Sequence, residues 1–414
     1  MLKINEERLL NNLRSLWQIG ATADGGVSRP ALSEADMQGR AWFKEKVEAA
    51  GLNYQEDGAG NQSAILRAID PSAKTVLCGS HLDTVPNGGR YDGSLGTLTA
   101  FEALQTIQEA GMKLPVHLEA ISFTDEEGTV MGLMGSAAVT GRLTATDFEN
   151  PRGGLKNLQA GMARARLTQE SVLGAARDPA TLAAFLELHI EQGSRLEESG
   201  IDVGVVTSIV GIGSAWLEFN GEAAHAGTMP MVKRKDALWG ASEFAQRAKN
   251  MVLERFTPGV MNCGIIHAEP GAFNIVPAKV RLSLEFRHST EDQIDALRTA
   301  LFDLAQEVAA KNGLGLEIEH SGAHIYAAPL DERVITAIEG AADKLELSHT
   351  RLLSFAGHDT QAMSRITPSA MFFVPSVNGI SHNPNELTHD RDVINGGNVV
   401  LHTLLNIVES LPWS

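Results

Sequence analysis

His81, Asp83 and Asp92 fall within one short glycine-rich stretch, HLDTVPNGGRYDGSLG (81–96). A polar surface turn is one reading of it. A metal site is the other: imidazole nitrogen and carboxylate oxygen are, besides thiolate, the ligands zinc prefers. Glycines let a backbone fold tightly around an ion.

Three further segments carry compatible chemistry. TDEEG (124–128) sets Glu126 beside Glu127, FLELHIEQG (185–193) carries His189, and NGISHNP (378–384) carries His382. A carboxylate has two oxygens, so one Asp can bridge two ions roughly 3.5–4 Å apart. Asp92, in its glycine-rich loop shortly after His81, suits that role. Adjacent Glu126 and Glu127 cannot easily share one task; one can ligate while the other stays free as a base. Taken singly, each feature is ordinary: a lone histidine is usually a satisfied surface or core residue, and DEE a solvated acidic face. The recurrence at four places favours a site.

Each segment follows a short apolar run. TVLCGS (75–80), VHLEAISF (116–123), FLELHI (185–190) and AMFFVPS (370–376) read as buried strands. Between the first two, LGTLTAFEALQTIQEAG is amphipathic and ends at Gly111, which reads as a helix. Strand, helix, strand at this spacing predicts a βαβ unit and a mostly parallel sheet. In open α/β sheets, sites form beyond the carboxyl ends of the strands, so residues far apart in sequence can converge there. The middle of the chain differs. GSAWLEFNGEAAHAG and AKVRLSLEFRH alternate apolar and polar residues, as half-exposed antiparallel strands do. Helical patterns over 235–256 and 290–313 accompany them. The expected fold is therefore α/β: a mostly parallel-sheet catalytic domain over 1–208 and 323–414, interrupted by an inserted two-layer α+β, ferredoxin-like domain over 209–322.

Composition excludes several classes of function. The 414 residues suit two or three domains, and 43% apolar with 21% charged content is that of a globular chain. A net charge of −17 argues against a nucleic-acid backbone or an anionic membrane as partner. Cys78 and Cys263 are the only cysteines, too few for a disulfide framework, which points to a reducing compartment. The opening MLKINEERLLNNLRSLWQIG has no apolar core of a signal peptide, and Leu9, Leu10, Leu13, Leu16 and Trp17 keep helical spacing. No apolar run is long enough to span a bilayer. A soluble, cytoplasmic protein is expected.

The segments GSHLDTVPNGGRYDG, TDEEG, LELHIEQG, GEAAHAGTMPMVKRKDA, FNIVPAKV, EFRH, GHDTQ and NGISHNP closely resemble, in order and over almost the whole chain, the amidase, hydantoinase/carbamoylase family. That family lies within the dinuclear-zinc aminoacylase and carboxypeptidase superfamily and includes N-carbamoyl-L-amino-acid hydrolases, beta-ureidopropionases and allantoate amidohydrolases. The resemblance implies two divalent ions, zinc first, with manganese, cobalt or nickel as alternatives. It makes His81, Asp92 and His189 ligands of one ion and Asp92, Glu127 and His382 ligands of the other. Asp83 would orient His81, and Glu126 would be the general base. His225 would approach the scissile carbonyl, often from a neighbouring subunit, which implies a homodimer built through residues 209–322 and closure of that domain over the site. Gln192, Asn274, Arg287 and Gly357 match substrate-binding positions.

Two places depart from the family pattern. The acidic motif runs on as EEGTVMG, with Val130 and Met131 where an arginine and a phenylalanine are common. Allantoate-specific relatives carry a Gln-Arg pair where this chain has Ile212 and Gly213. The implied activity is therefore hydrolysis of an N-carbamoyl-L-amino acid or related carboxylated ureido compound, its carboxylate held by Arg287. Allantoate or an N-acyl amino acid is the alternative substrate. A non-catalytic binding protein would have lost Glu126 or a ligand, and none is lost. A true peptidase is disfavoured because many peptidase relatives carry a carboxylate at the position of His189.

Overall fold

The computed structural model describes residues 1–320 and 325–411. The chain forms two compact units. One comprises Met1–Thr207, Leu330–Leu352 and Gly357–Ser414, the other Ser208–Pro329 and Leu353–Ala356. The expected boundary at 322–323 lies outside the described residues.

The four apolar runs are strands of the first unit: Thr75–His81, His117–Phe123, Leu182–Ile190 and Ser369–Val374. Nearly every residue in them is buried on both faces, as central strands covered by helices must be. They lie side by side, with His117–Phe123 at one end, then Thr75–His81, Leu182–Ile190 and Ser369–Val374, and all three pairings are parallel. Their carboxyl ends therefore share one edge of the sheet. Antiparallel strands flank this core: Gln62–Leu66 and Asn53–Glu56 beyond one side, Val203–Ile209 beyond the other. The helices Ser94–Glu109 and Asp390–Ser410 pack together and against these strands. Both are buried along most of their length, so the first, amphipathic in sequence, hides even its polar Thr97, Thr99 and Glu102.

In the second unit, Gly211–Asn220 and Lys279–His288 pair antiparallel along their whole length. Gly315–His320 flanks the first and Ile266–Glu269 the second. The long strands alternate buried with half-buried residues. Their buried faces, with Leu217, Phe219, Leu284 and Phe286, meet Phe244 of helix Ala237–Arg255 and Leu297 and Leu301 of helix Glu291–Lys311. The connectivity is βαββαβ, with helices on one face and half-buried residues on the other. Among the described residues no helix is long and apolar enough to cross a membrane.

Candidate metal centre

Parallel pairing brings the ends of the four central strands together. His81 is the last residue of its strand and sits beside Phe123. His189 is next to last in its strand and sits beside Phe373. Glu126 and Glu127 follow Phe123 after a turn at Asp125, whose φ is +58°. The Asp125 carboxylate ties that turn by accepting the N–H groups of Val130 and Gly132 at 2.9 and 2.8 Å. His382 lies several residues past its strand, on a loop, with φ +53° and a side chain half exposed.

Two donor groups result. The ligand atoms of His81, Asp92 and His189 lie within 4.8 Å of one another, and so do those of Asp92, Glu127 and His382. Asp92 belongs to both and divides its oxygens between them. Its Oδ1 is 3.0 Å from His189 Nε2 and 3.6 Å from His81 Nε2. Its Oδ2 is 3.4 Å from His382 Nε2, which is equally 3.4 Å from Glu127 Oε2. Glu126 is in neither group, yet its Oε2 lies 3.6 Å from His81 Nε2.

The local backbone prepares the imidazoles. His81 Nδ1 donates to the Asp83 carbonyl at 3.0 Å, and His189 Nδ1 to the Ile190 carbonyl at 2.9 Å. A carbonyl can only accept, so in the neutral ring the proton sits on Nδ1 and the Nε2 lone pair faces the site. Gly93 has φ +62°, and a Cβ there would fall 2.3 Å from the His81 ring. Only glycine fits beside that histidine.

The electrostatics match a place built for cations. Burial and the carboxylates of Glu127, Asp359, Asp92 and Asp83 hold Glu126 well above the usual carboxylate range. Burial, Asp92 and Asp83 do the same to Glu127. Burial lowers His81 to about 4. Burial would lower His189 too, but the Asp92 carboxylate outweighs it and raises this imidazole to about 9. Crowded carboxylates of this kind are costly without a counter-charge. A nitrogen and oxygen donor set with one shared carboxylate suits a pair of divalent ions.

Other expected residues make contacts of their own. The Nδ1 partner of His81 is the backbone carbonyl of Asp83; the Asp83 carboxylate is farther off, at 3.7 Å, and instead accepts the N–H groups of Glu126 and Glu127. Gln192, at φ +56°, donates through Nε2 to Asp92 Oδ2 at 2.8 Å, so it orients the shared carboxylate. Gly357 is exposed just before the short helix Asp359–Met363. Val130 is buried in a small apolar cluster with Leu32, Met134 and Phe148, with Met131 packed against it.

His225, Asn274 and Arg287 belong to the second unit. His225 pairs with Ile275 in a two-stranded ribbon, and the Asn274 carbonyl accepts from Ala226 N–H at 2.9 Å. The backbone N–H groups of Gly227 and Thr228 both donate to His225 Nδ1, at 3.1 and 3.2 Å. That leaves Nε2 as the protonated, exposed donor of the neutral ring. Arg287 lies on the half-buried face of its strand, directly opposite Ile212.

Three residues of the site escape the sequence reading. His358, buried, sets its ring edge against His189, with centroids 4.7 Å apart. Glu187, two residues before His189 and therefore on the same strand face, accepts from Ser80 Oγ at 2.8 Å and from Thr360 N–H at 2.9 Å. Its signal was a carboxylate inside an apolar run. Glu386 is buried behind Asp92; only its place four residues after His382 hinted at the site.

Known proteins resemble the chain along nearly its whole length. An N-carbamoyl-L-amino acid amidohydrolase of Geobacillus stearothermophilus is 34% identical over 412 residues, covering 98% of this chain and 99% of that protein. An allantoate amidohydrolase of Bacillus subtilis is 35% identical over 382 residues, covering 91% and 92%. The crystal structure of a hydantoinase/carbamoylase family amidase from Burkholderia ambifaria superposes with a TM-score of 0.90 at 33% identity, covering 99% of this chain and 98% of that one. The model of peptidase family M20/M25/M40 matches residues 77–406, from within the strand that ends in His81 to within the last helix, and so takes in both donor groups. With relatives of such identity along nearly its whole length, the chain belongs to that family.

Proposed function

We propose that this protein is a metal-dependent amidohydrolase that cleaves the ureido C–N bond of an N-carbamoyl-L-amino acid. The observation that carries the reading is a single carboxylate, Asp92, shared by two donor groups, with Glu126 beside them and outside both. His81, Asp92 and His189 would hold one ion, and Asp92, Glu127 and His382 the other, with zinc as the first choice. The ions, when bound, would supply Lewis acidity that acidifies water and polarises a carbonyl oxygen.

Glu126 is the general base. Its raised pKa suits a group that accepts a proton from the attacking water and passes it to the leaving nitrogen. His225 donates from Nε2 to the oxygen that gains charge at the scissile carbon, a role worth about 3–4 kcal/mol for one donor in a known case. Arg287 pairs with the substrate carboxylate, and Asn274, Gln192 and Gly357 line the ureido group. The second unit acts as lid and dimerisation domain in a cytoplasmic homodimer. Hydrolysis releases the amino acid, carbon dioxide and ammonia.

The names of the relatives support a ureido substrate but divide among carbamoyl amino acids, allantoate and ureidoglycolate. Ile212, the aliphatic neighbour of Arg287 across the sheet, favours carbamoyl amino acids over allantoate, because allantoate carries a second ureido group that an isoleucine cannot hydrogen-bond. The test is a panel of N-carbamoyl, N-formyl and N-acyl amino acids plus allantoate, offered to enzyme loaded with zinc, manganese, cobalt or nickel. Release of ammonia from N-carbamoyl-L-amino acids with the highest kcat/KM is expected. A preference for allantoate would overturn the substrate, and full activity in a chelator would overturn the mechanism.

A further inference from the structure

Glu386 is a buried carboxyl group far in sequence from the loop it serves. It sits at the end of the turn Asn383–Glu386, closed by Glu386 N–H to the Asn383 carbonyl at 3.0 Å. One oxygen, Oε1, accepts the N–H of Tyr91 at 2.8 Å and that of Asp92 at 3.1 Å. The other, Oε2, accepts from Ser381 Oγ at 3.1 Å. The same Ser381 hydroxyl lies 2.9 Å from Asp92 Oδ2, the oxygen that faces His382 and Glu127. A single carboxylate thus joins the backbone that carries Asp92 to the loop that carries His382.

The opposite loop is shaped to admit it. A Cβ on Gly89 would fall 1.9 Å from the carboxyl carbon of Glu386 and 2.0 Å from its Oε1. The glycine leaves the space in which the carboxylate sits. Buried acceptors of backbone N–H groups leave orphaned donors when removed, and such groups hold ligands at the geometry an ion demands.

We propose that Glu386 is the positioning residue of the second donor group: it sets Asp92 and His382 at the separation a second divalent ion requires, and Gly89 is glycine to make room for it. The proposal rests on the two-ion reading above. Glu386 acts through Asp92 and Ser381 and is not itself a ligand.

Zinc titration of the metal-free full chain, with a competing chelator, tests this. The wild-type protein should take up two ions; uptake of fewer would overturn the two-ion reading itself, before any variant is considered. Glu386→Ala should weaken the second ion on the order of 10–100-fold, the usual effect of losing an outer-shell partner. Glu386→Gln keeps a carbonyl oxygen for the Tyr91 and Asp92 N–H groups and should lose much less; it also keeps the proposal testable if the alanine variant does not fold. Equal losses in the two variants would make Glu386 a charge-dependent ligand and overturn the positioning role. Gly89→Ala should impair the second ion in the wild-type background and add little to Glu386→Ala, because the carboxylate it collides with is then gone. Additive losses, or wild-type zinc affinity in Glu386→Ala, would overturn the proposal.

Discussion

Asp83 holds Glu127 by its backbone: Asp83 Oδ2 accepts the Glu127 N–H at 3.3 Å, while Oδ1 accepts that of Glu126 at 3.4 Å. One buried carboxylate therefore pins the peptide units of a metal-donor candidate and of the candidate base. Both of its oxygens act as acceptors, so asparagine, which offers one acceptor and one donor, is a poor substitute. Asp83→Ala and Asp83→Asn should each lower metal affinity on the order of 10–100-fold, with Asn recovering little. Metal content after gel filtration and kcat of the reloaded enzyme check this. Wild-type behaviour of the Asn variant would show that the second hydrogen bond is dispensable.

That relationship also marks the limit of the sequence reading. Strand ends could be located because central parallel strands are apolar on both faces and stop where polar residues begin. His81 and His189 therefore fall where the pattern puts them. The second unit was readable because its strands alternate cleanly over one covered face. Backbone hydrogen bonds leave no such trace. Nothing about Asp83 tells it to bind two amides more than forty residues away. Glu386, tied to amides 295 and 294 positions earlier, is equally mute. Arg29, fully buried and donating to the carbonyls of Leu82 and Ile19 and to Ser94 Oγ, stands in no periodic pattern at all.

Glu126, the proposed base, stands apart from the proposed ligands. Its side chain belongs to neither donor group, so Glu126→Gln should keep the wild-type metal stoichiometry. Loss of the proton acceptor should lower kcat about 10²–10⁴-fold. Metal analysis alongside steady-state kinetics on an N-carbamoyl-L-amino acid checks both. A glutamine variant with near-normal kcat would assign the base elsewhere; one that lost an ion would make Glu126 a ligand.

Metal uptake should expel protons. Asp92 raises His189 to about 9 against a burial effect of opposite sign, so in the metal-free chain this imidazole is protonated near neutral pH. Burial and neighbouring carboxylates shift Glu126 and Glu127 in the same direction. A ligating imidazole must be neutral, so binding at pH 7 releases at least the His189 proton, and the release dwindles as the pH passes about 9. The sign also sets metal-free stability: with its folded pKa above the unfolded value, His189 stabilises fully below about 6.5 and loses that contribution as pH rises through about 9. Calorimetric zinc titrations in buffers of different ionisation enthalpy count the protons. No buffer dependence at pH 7 would contradict a protonated His189.

In the proposed function, Arg287 is the residue that recognises the substrate as an acid. Its Nε and Nη2 both donate to Glu285 Oε1, at 2.9 and 2.8 Å, and Nη1 donates to the Phe355 carbonyl. Ile212 and Val260 stand opposite it on the two neighbouring strands, so its flanks across the sheet are aliphatic. Lysine could replace the charge but not the fork. Hydrogen bonds to charged groups are worth about 1.5–3 kcal/mol, so Arg287→Lys should raise KM for a carboxylated substrate roughly 10–100-fold and leave kcat nearly intact. The matching carboxamide should be a poor substrate of the wild-type enzyme and lose little further in the variant. Glu285 occupies the side of the guanidinium that a substrate carboxylate would seek, but the pair is partly exposed, and such pairs are worth under about 1 kcal/mol. Glu285→Gln should therefore lower KM for the acid by a few-fold at most. A rise in KM instead would mean that Glu285 steadies the guanidinium, and equal cleavage of acid and carboxamide by the wild-type enzyme would remove Arg287 from substrate recognition altogether.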